Sequence, residues 1–269
     1  MTLISANTQL TKHHGLGNDF LVTFGLEVDE ASRSALAVEL CDRRRGVGAD
    51  GLLIADDEAG YAGRMTLFNA DGSRAEMSGN GIRCFAQAIA MRTGSLDDQR
   101  ILTDVGERLV SMSPTDDPNV MSATVDMGAV GPLPEPVGWA AVQCNPDRPV
   151  AHLTMGNPHS VVGVDDVSVV DLADLGGRVP HVNLEIIEPG PEPDAVTMRV
   201  HERGAGITEA CGTGACASAF AALQWGLVAS SVEAVTVHMD GGSATVAIDE
   251  ADRAVLTGPA TYVATVSLS

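Results

Sequence analysis

The feature that most constrains this chain is that part of it occurs twice. Residues 65–78 read MTLFNADGSRAEMS and residues 198–211 read MRVHERGAGITEAC; they align without a gap at a constant offset of 133, the difference between positions 211 and 78. Met65 lies over Met198, Asn69 over Glu202, Glu76 over Glu209 and Ser78 over Cys211. Both copies run on into a glycine-rich turn and an alanine-rich helix, SGNGIRCFAQA and CGTGACASAFA. A second echo lies upstream of each: Leu16-Gly17-Asn18 leads into Asp19-Phe20-Leu21-Val22, and Met155-Gly156-Asn157 into Pro158-His159-Ser160-Val161-Val162. Each is a Gly-Asn turn opening a β-like run. Two like halves, each carrying a small nucleophile at a helix start, predict two domains and an active site served by both.

After each alanine-rich segment come short β-branched runs separated by Gly, Asp or Pro: RILTDVG, RLVSMS and MSATVDMG in the first half, AVTVHM, ATVAI, AVLTG and TYVATVSL in the second. Many short strands with few helices predict mixed α/β domains of the α+β kind, not a doubly wound parallel sheet. Gly131-Pro132-Leu133-Pro134-Glu135-Pro136 is the expected boundary, giving an N-terminal half over 1–130 and a C-terminal half from 131. Outer helices are expected around Ala31–Cys41 and Val167–Leu175. In the helices after the glycine turns, Ile82, Phe85, Ala86, Ile89 and Ala90 share one face, as do Cys216, Ala219, Phe220 and Leu223. Small residues fill the rest, so both helices are expected to be largely buried and to end near Gly94 and Gly226.

Composition removes several classes of function. With 36 acidic against 16 basic residues the net charge is −20, which repels phosphate backbones and anionic membranes, so neither nucleic acid nor membrane is an expected partner. No basic-then-apolar leader pattern and no apolar run of spanning length is visible, which makes the cytoplasm the expected location. Five cysteines, at 41, 84, 144, 211 and 216, form no disulfide-like framework. Lys12 is the only lysine and lies in a strand-like start with no phosphate-binding loop beside it. A pyridoxal-phosphate enzyme needs a lysine to hold its cofactor, so amino-acid chemistry here is expected to proceed without one. The seven histidines show no metal-binding spacing, and no metal is expected.

Ser78 and Cys211 each precede a Gly-x-Gly turn and the first turn of a helix, where free N–H groups favour an anion, either a thiolate or a substrate carboxylate. Thiol pKa falls in such places, so Cys211 is expected to be partly ionised at neutral pH. For Ser78 alone the plainer reading is a helix cap. Neither SGNGIR nor CGTGAC continues as a nucleotide-binding loop or completes the dinucleotide fingerprint. Asn69 and the Glu202-Arg203 pair are expected at strand ends nine residues before the two nucleophiles, able to grip ammonium and carboxylate groups; for Glu202-Arg203 a surface ion pair is the alternative. His159 either orients a catalytic group or serves as a structural donor. Cys84 and Cys216 lie inside the helices and read as buried filler.

The motifs HGLGNDFLV, DRRRGVGADG, FNADGSRAEMSGNGIRCFAQ, MGNPH, VNLE and HERGAGITEACGTGACA, in this order, resemble the diaminopimelate epimerase family over nearly the whole chain. The resemblance implies two pseudo-symmetric domains, each a mixed sheet wrapped around a central helix, with the last strand (about 260–269) returning to the first domain and the second ending near 259. It implies a homodimer, no cofactor, a small amino-acid substrate and interconversion of LL- and meso-diaminopimelate by 1,1-proton transfer. Two groups on opposite faces of the α-carbon do this work, both cysteines in the family. By motif match Cys211 is one base, Ser78 stands where the family has its other cysteine, and His159 and Glu202 support the thiols. Substrate contacts fall on Asn18, Asn69, Gly79, Asn80, Asn157, Asn183, Glu202, Arg203, Gly212 and Thr213.

Two further departures are Gly51, where many members have a substrate-contacting glutamine, and Ile207, where a glutamate is usual. Four readings therefore stay open: an epimerase using the Ser78 hydroxyl, a racemase or one-base enzyme for another amino acid, a cysteine-to-serine variant that has lost activity, and an amino-acid binder without catalysis.

Overall fold

The structure is a computed structural model that describes residues 9–26 and 28–268. The chain divides into two units, one running to Val125 and resuming at Gly258, the other spanning Asp126–Thr257. The division falls inside a strand, just before the proline-rich segment.

The first unit contains β1 (Gln9–Gly15), β2 (Asn18–Phe24), α1 (Glu30–Cys41), β3 (Gly51–Asp56), β4 (Gly63–Asn69), β5 (Arg74–Ala75), α2 (Gly79–Thr93), β6 (Gln99–Thr103), β7 (Gly106–Pro114) and most of β8 (Val120–Ala129). The second contains β9 (Gly131–Pro132), β10 (Val150–Thr154), β11 (Pro158–Gly163), α3 (Leu172–Arg178), β12 (Asn183–Pro189), β13 (Ala195–Glu202), β14 (Gly206–Thr208), α4 (Gly212–Trp225), β15 (Val235–Met239), β16 (Gly242–Ile248) and the start of β17 (Arg253–Ser267).

The duplication in sequence is a duplication of pairing. In the first unit β1–β2 is antiparallel, β2–β3 parallel, β3–β4 antiparallel, β4–β6 parallel, and β6–β7 and β7–β8 antiparallel. In the second unit β10–β11, β11–β12, β12–β13, β13–β15, β15–β16 and β16–β17 repeat that alternation in the same order. The short strands β5 and β14 hang on β4 and β13 at matching places. In the first unit β17 pairs with β1 and also with β8, which closes eight strands into a barrel. In the second, β9 pairs with β10, Val130 N–H donates to Asp252 O at 2.8 Å, and Arg253 meets Asp126 at 2.6 Å. This is the mixed α+β architecture expected of the sequence.

Each ring carries one helix packed on several of its strands: α2 on β1, β2, β3, β4 and β7, and α4 on β10–β13, β15 and β16. Both end where a glycine takes the left-handed conformation, Gly94 (φ 71°) and Gly226 (φ 69°), which a Cβ would penalise. The run Gly79–Ala90 is buried, as are Gly212–Ala219, Ala221 and Ala222. Phe220 and Leu223, expected on the buried face, are only half-buried, while the small residues of α4 are buried.

On the outer side of the first ring, Leu36, Ala37, Leu40 and Cys41 of α1 cover Leu10, Leu21, Leu52, Ile54 and Phe68. Strands β2 and β3 are thus covered on both faces and are buried without alternation along their middles, whereas exposed β7 alternates. In the second unit Trp139, Val142, Val167 and Leu172 form the corresponding cover. The helix expected over Val167–Leu175 is here two pieces. A 3-10 turn at Val167–Val169 ends at extended Val170, and Asp171 starts α3 anew by accepting from Asp174 N at 3.1 Å.

His13 on β1 is buried, and its Nδ1 lies 2.8 Å from Gln87 Oε1 on α2. Burial lowers its pKa from 6.5 to about 4, partly offset by the Gln87 hydrogen bond. The folded state therefore holds a neutral imidazole that the unfolded chain protonates first. Its contribution is fully present above pH 6.5 and is lost as pH falls towards 4. That loss is on the order of 3 kcal/mol. Urea midpoints measured across this window for wild type and His13→Leu should show a shallower pH slope in the variant.

Candidate active site

In the first unit the β4–β5 hairpin leads directly into α2, and Ser78 caps that helix from extended backbone (φ −141°, ψ 123°). Its Oγ accepts from Gly81 N at 3.0 Å, and the residue is half-buried at the mouth of the helix. The turn at Leu16 (φ 55°) and Gly17 (φ 86°) sets Asn18 opposite Gly15 at the start of β2. From there a directional chain of amides runs to the helix: Arg83 Nη2 donates to Asn80 Oδ1 (2.8 Å), Asn80 Nδ2 to Asn18 Oδ1 (3.2 Å), and Asn18 Nδ2 to Asp50 Oδ2 (2.8 Å). Arg43 bridges Asp50 and Asp19, each at 2.7 Å, and Lys12 meets Asp19 at 2.9 Å. Burial alone would raise the Asp19 carboxyl; the Arg43 and Lys12 hydrogen bonds outweigh it and hold it below the ordinary range.

The Arg83 guanidinium is fully buried and also donates to Gly79 O and Pro259 O. Asn18, Ser78, Gly79 and Asn80 are therefore gathered at one helix start. Asn69 ends β4 opposite Gly51 and donates to Ser73 Oγ at 3.0 Å instead of joining this chain. Gly51 itself has no room for a side chain, since a Cβ there would meet Phe68 O at 2.9 Å and Phe20 Cδ1 at 3.2 Å.

The second unit repeats the arrangement with sulfur. Cys211 caps α4 from extended backbone (φ −130°, ψ 114°), its Sγ accepting from Gly214 N at 3.3 Å and lying 3.5 Å from Thr213 Oγ1. Asn157 Nδ2 donates to Thr213 Oγ1 at 3.3 Å, and His159 Nε2 lies 2.9 Å from Asn157 Oδ1. His159 Nδ1 pairs with Glu185 Oε1 at 2.6 Å, both side chains fully buried. Asn183 Oδ1 accepts from Arg203 N at 2.8 Å, and Glu202 accepts from Thr208 Oγ1 at 2.5 Å. Cys211, Gly212, Thr213, Asn157 and His159 thus form one connected group. Asn183 and Arg203 form a second, and Glu202, at the end of β13, adds its charge beside Cys211.

The expectation that Cys211 is partly ionised at neutral pH is overturned. Burial raises the thiol pKa well above 9.0, the charges of Glu202 and Glu185 raise it further, and the Thr213 and Gly214 hydrogen bonds oppose this only in part. A helix start favours an anion, but loss of solvent around a 4% exposed cysteine costs more. Cys84 and Cys216 are buried within their helices, and burial pushes the Cys84 thiol up to about 12. Glu185, Arg83, Asp50 and Asp19 were not singled out from the sequence. The signal lay in motifs already noted, as the last residue of VNLE, the arginine of GNGIR, and the acids of DRRRGVGADG and GNDF. Among the described residues no group of three or more His, Cys, Asp or Glu is arranged to hold a metal.

The sequence model of the family described as diaminopimelate epimerase matches residues 10–131 and 152–263. The chain belongs to the diaminopimelate epimerase family. Among curated members of that family, a diaminopimelate epimerase of Synechococcus elongatus is 39% identical, over 95% of this chain and 96% of its own length. One from Halothermothrix orenii is 35% identical over 95% of each. With diaminopimelate epimerase membership, the chain is an isomerase. Solved structures show the same fold at much lower identity. A predicted epimerase of Pseudomonas aeruginosa superposes with a TM-score of 0.76 at 15% identity, covering 97% of this chain and 99% of its own. A hydroxyproline epimerase of Agrobacterium vitis gives 0.72 at 14%, covering 98% and 91%.

Proposed function

We propose that this isomerase inverts the α-carbon of 2,6-diaminopimelate, interconverting the LL and meso forms by 1,1-proton transfer without pyridoxal phosphate. The observation that carries the reading is the matched pair of helix caps, Ser78 Oγ on Gly81 N–H and Cys211 Sγ on Gly214 N–H. Inversion requires a proton to leave one face of a carbon and another to arrive at the opposite face. In this reading Cys211 serves one face, Ser78 the other, and His159 and Glu202 support them. The backbone N–H groups at Gly79, Asn80, Gly212 and Thr213 hold the α-carboxylate and steady the charge that develops on the carbon. Asn18, Asn69, Asn157, Asn183, Glu202 and Arg203 grip the rest of the substrate. Water is excluded from the site during the transfer, and the enzyme works as a cytoplasmic homodimer. No described helix is long and apolar enough to cross a membrane.

Gly51 favours a second reading. Where many family members extend a glutamine to the substrate, this chain offers no side chain and no space for one, so a different amino acid is a competing substrate. Incubation in deuterated water with LL- and meso-diaminopimelate and a panel of proteinogenic amino acids separates the readings. Deuterium entering diaminopimelate together with inversion is the expected result. Exchange into another amino acid alone would move the assignment to a racemase, and thermal stabilisation by diaminopimelate without exchange would make the chain a binder.

A further inference from the structure

Glu185 is fully buried in the second unit, touches no proposed substrate group, and yet stands at the head of a hydrogen-bonded chain that ends on the sulfur. The links are Glu185 Oε1 to His159 Nδ1 (2.6 Å), His159 Nε2 to Asn157 Oδ1 (2.9 Å), Asn157 Nδ2 to Thr213 Oγ1 (3.3 Å) and Thr213 Oγ1 to Cys211 Sγ (3.5 Å). Elements β12, β11 and α4 each supply part of it, and α4 has no slack: a Cβ on Gly214 would meet Glu185 Oε1 at 2.7 Å. Resting on the functional reading above, we propose that Glu185 is a positioning residue that acts through His159, Asn157 and Thr213 to turn the Thr213 hydroxyl hydrogen onto Cys211 Sγ, making the sulfur a double acceptor ready to carry the thiolate.

The argument lies in the sense of the chain. Asn157 gives its nitrogen to Thr213 and its oxygen to His159, which is favourable only when Nε2 bears a hydrogen. That condition holds when one proton lies between Nδ1 and Glu185, whether the pair is imidazolium and carboxylate or imidazole and carboxylic acid. Glu185 Oε2 has no hydrogen-bond partner among the described residues, and burial raises the Glu185 carboxyl, both of which favour keeping a proton between the two groups. The Thr213 hydroxyl, already accepting from Asn157, then has its hydrogen for the sulfur. Gly214 N–H supplies the second donor at 3.3 Å. Without Glu185 a neutral His159 is free to carry its hydrogen on Nδ1. The Asn157 amide then turns over, Thr213 donates to Asn157 in place of Cys211, and the thiolate loses a donor. The charged groups acting on Cys211 are Glu202 and Glu185, and those acting on Glu185 are His159 and Glu202.

Reactivity of Cys211 towards methyl methanethiosulfonate, followed peptide by peptide by mass spectrometry without substrate, tests this independently of any epimerase activity. At a fixed pH the rate should fall about tenfold in Glu185→Leu and in Thr213→Val, the worth of one hydrogen bond to a charged sulfur. It should stay near wild type in Thr213→Ser, and the double variant Glu185→Leu/Thr213→Val should fall no further than either single one. A faster reaction in Glu185→Leu, expected if the carboxyl acts on the sulfur by charge alone, would overturn the proposal. So would an unchanged rate in Thr213→Val, or two falls that multiply. Should Glu185→Leu not fold, nitrogen-15 NMR of wild-type His159 decides: a protonated Nε2 is expected, and a bare Nε2 overturns the scheme.

Discussion

Cys211→Ala lowers the exchange of the diaminopimelate α-proton with solvent by about a thousandfold or more, the scale of losing a positioned acid or base. The cause is chemical and not conformational. The cap contributes one hydrogen bond from Gly214 N–H, whose loss costs about 1 kcal/mol of stability, far less than the catalytic effect. Cys216→Ala, five residues on and buried in the helix interior, is the matched control and should leave exchange intact. Deuterium incorporation into LL- and meso-diaminopimelate, read by proton NMR, distinguishes the two; undiminished exchange in Cys211→Ala would falsify the role given to it.

Ser78→Cys raises epimerisation about tenfold or more, since a thiolate is far more accessible near neutral pH than an alkoxide. The substitution is gentle. Ser78 is half-buried at the helix mouth, so the larger sulfur meets no packed core, and it can accept from Gly81 N–H as Cys211 accepts from Gly214 N–H. Stereochemical inversion by circular dichroism gives the rate. A tenfold fall would mean that Ser78 is tuned for chemistry a thiol cannot do, and would remove the two-base reading from this chain.

What could be read from the residues was what local geometry and periodicity control. The Leu16-Gly17 turn, the glycine stops of α2 and α4, and the helix over Glu30–Cys41 follow from positive φ and apolar spacing. The internal repeat carried the rest, because a shared motif implied a shared pairing order. Long-range facts were not legible in local pattern: the return of the last strand to the first domain was implied by the family resemblance alone, and Val170 was not recognised as the break between two short helices. The Cys211 pKa was misjudged for a similar reason: a helix start is visible in sequence, but the burial that outweighs it is a property of three packed elements. Glu185 escaped because its partner His159 lies 26 residues away.

Strand β17 has a consequence for how the chain is made. The ring of the first unit lacks its closing strand until residues 258–267, which follow the whole of the second unit. The unit encoded first is therefore the last to be completed, and until then the edges of β1 and β8 stand open. Synthesis from the N-terminus leaves the Ser78 half waiting until the Cys211 half has been made, so the cap of α4 can be set in a complete unit before that of α2. In effect the second unit is an insertion within the first, and one late strand finishes the second unit and then the first.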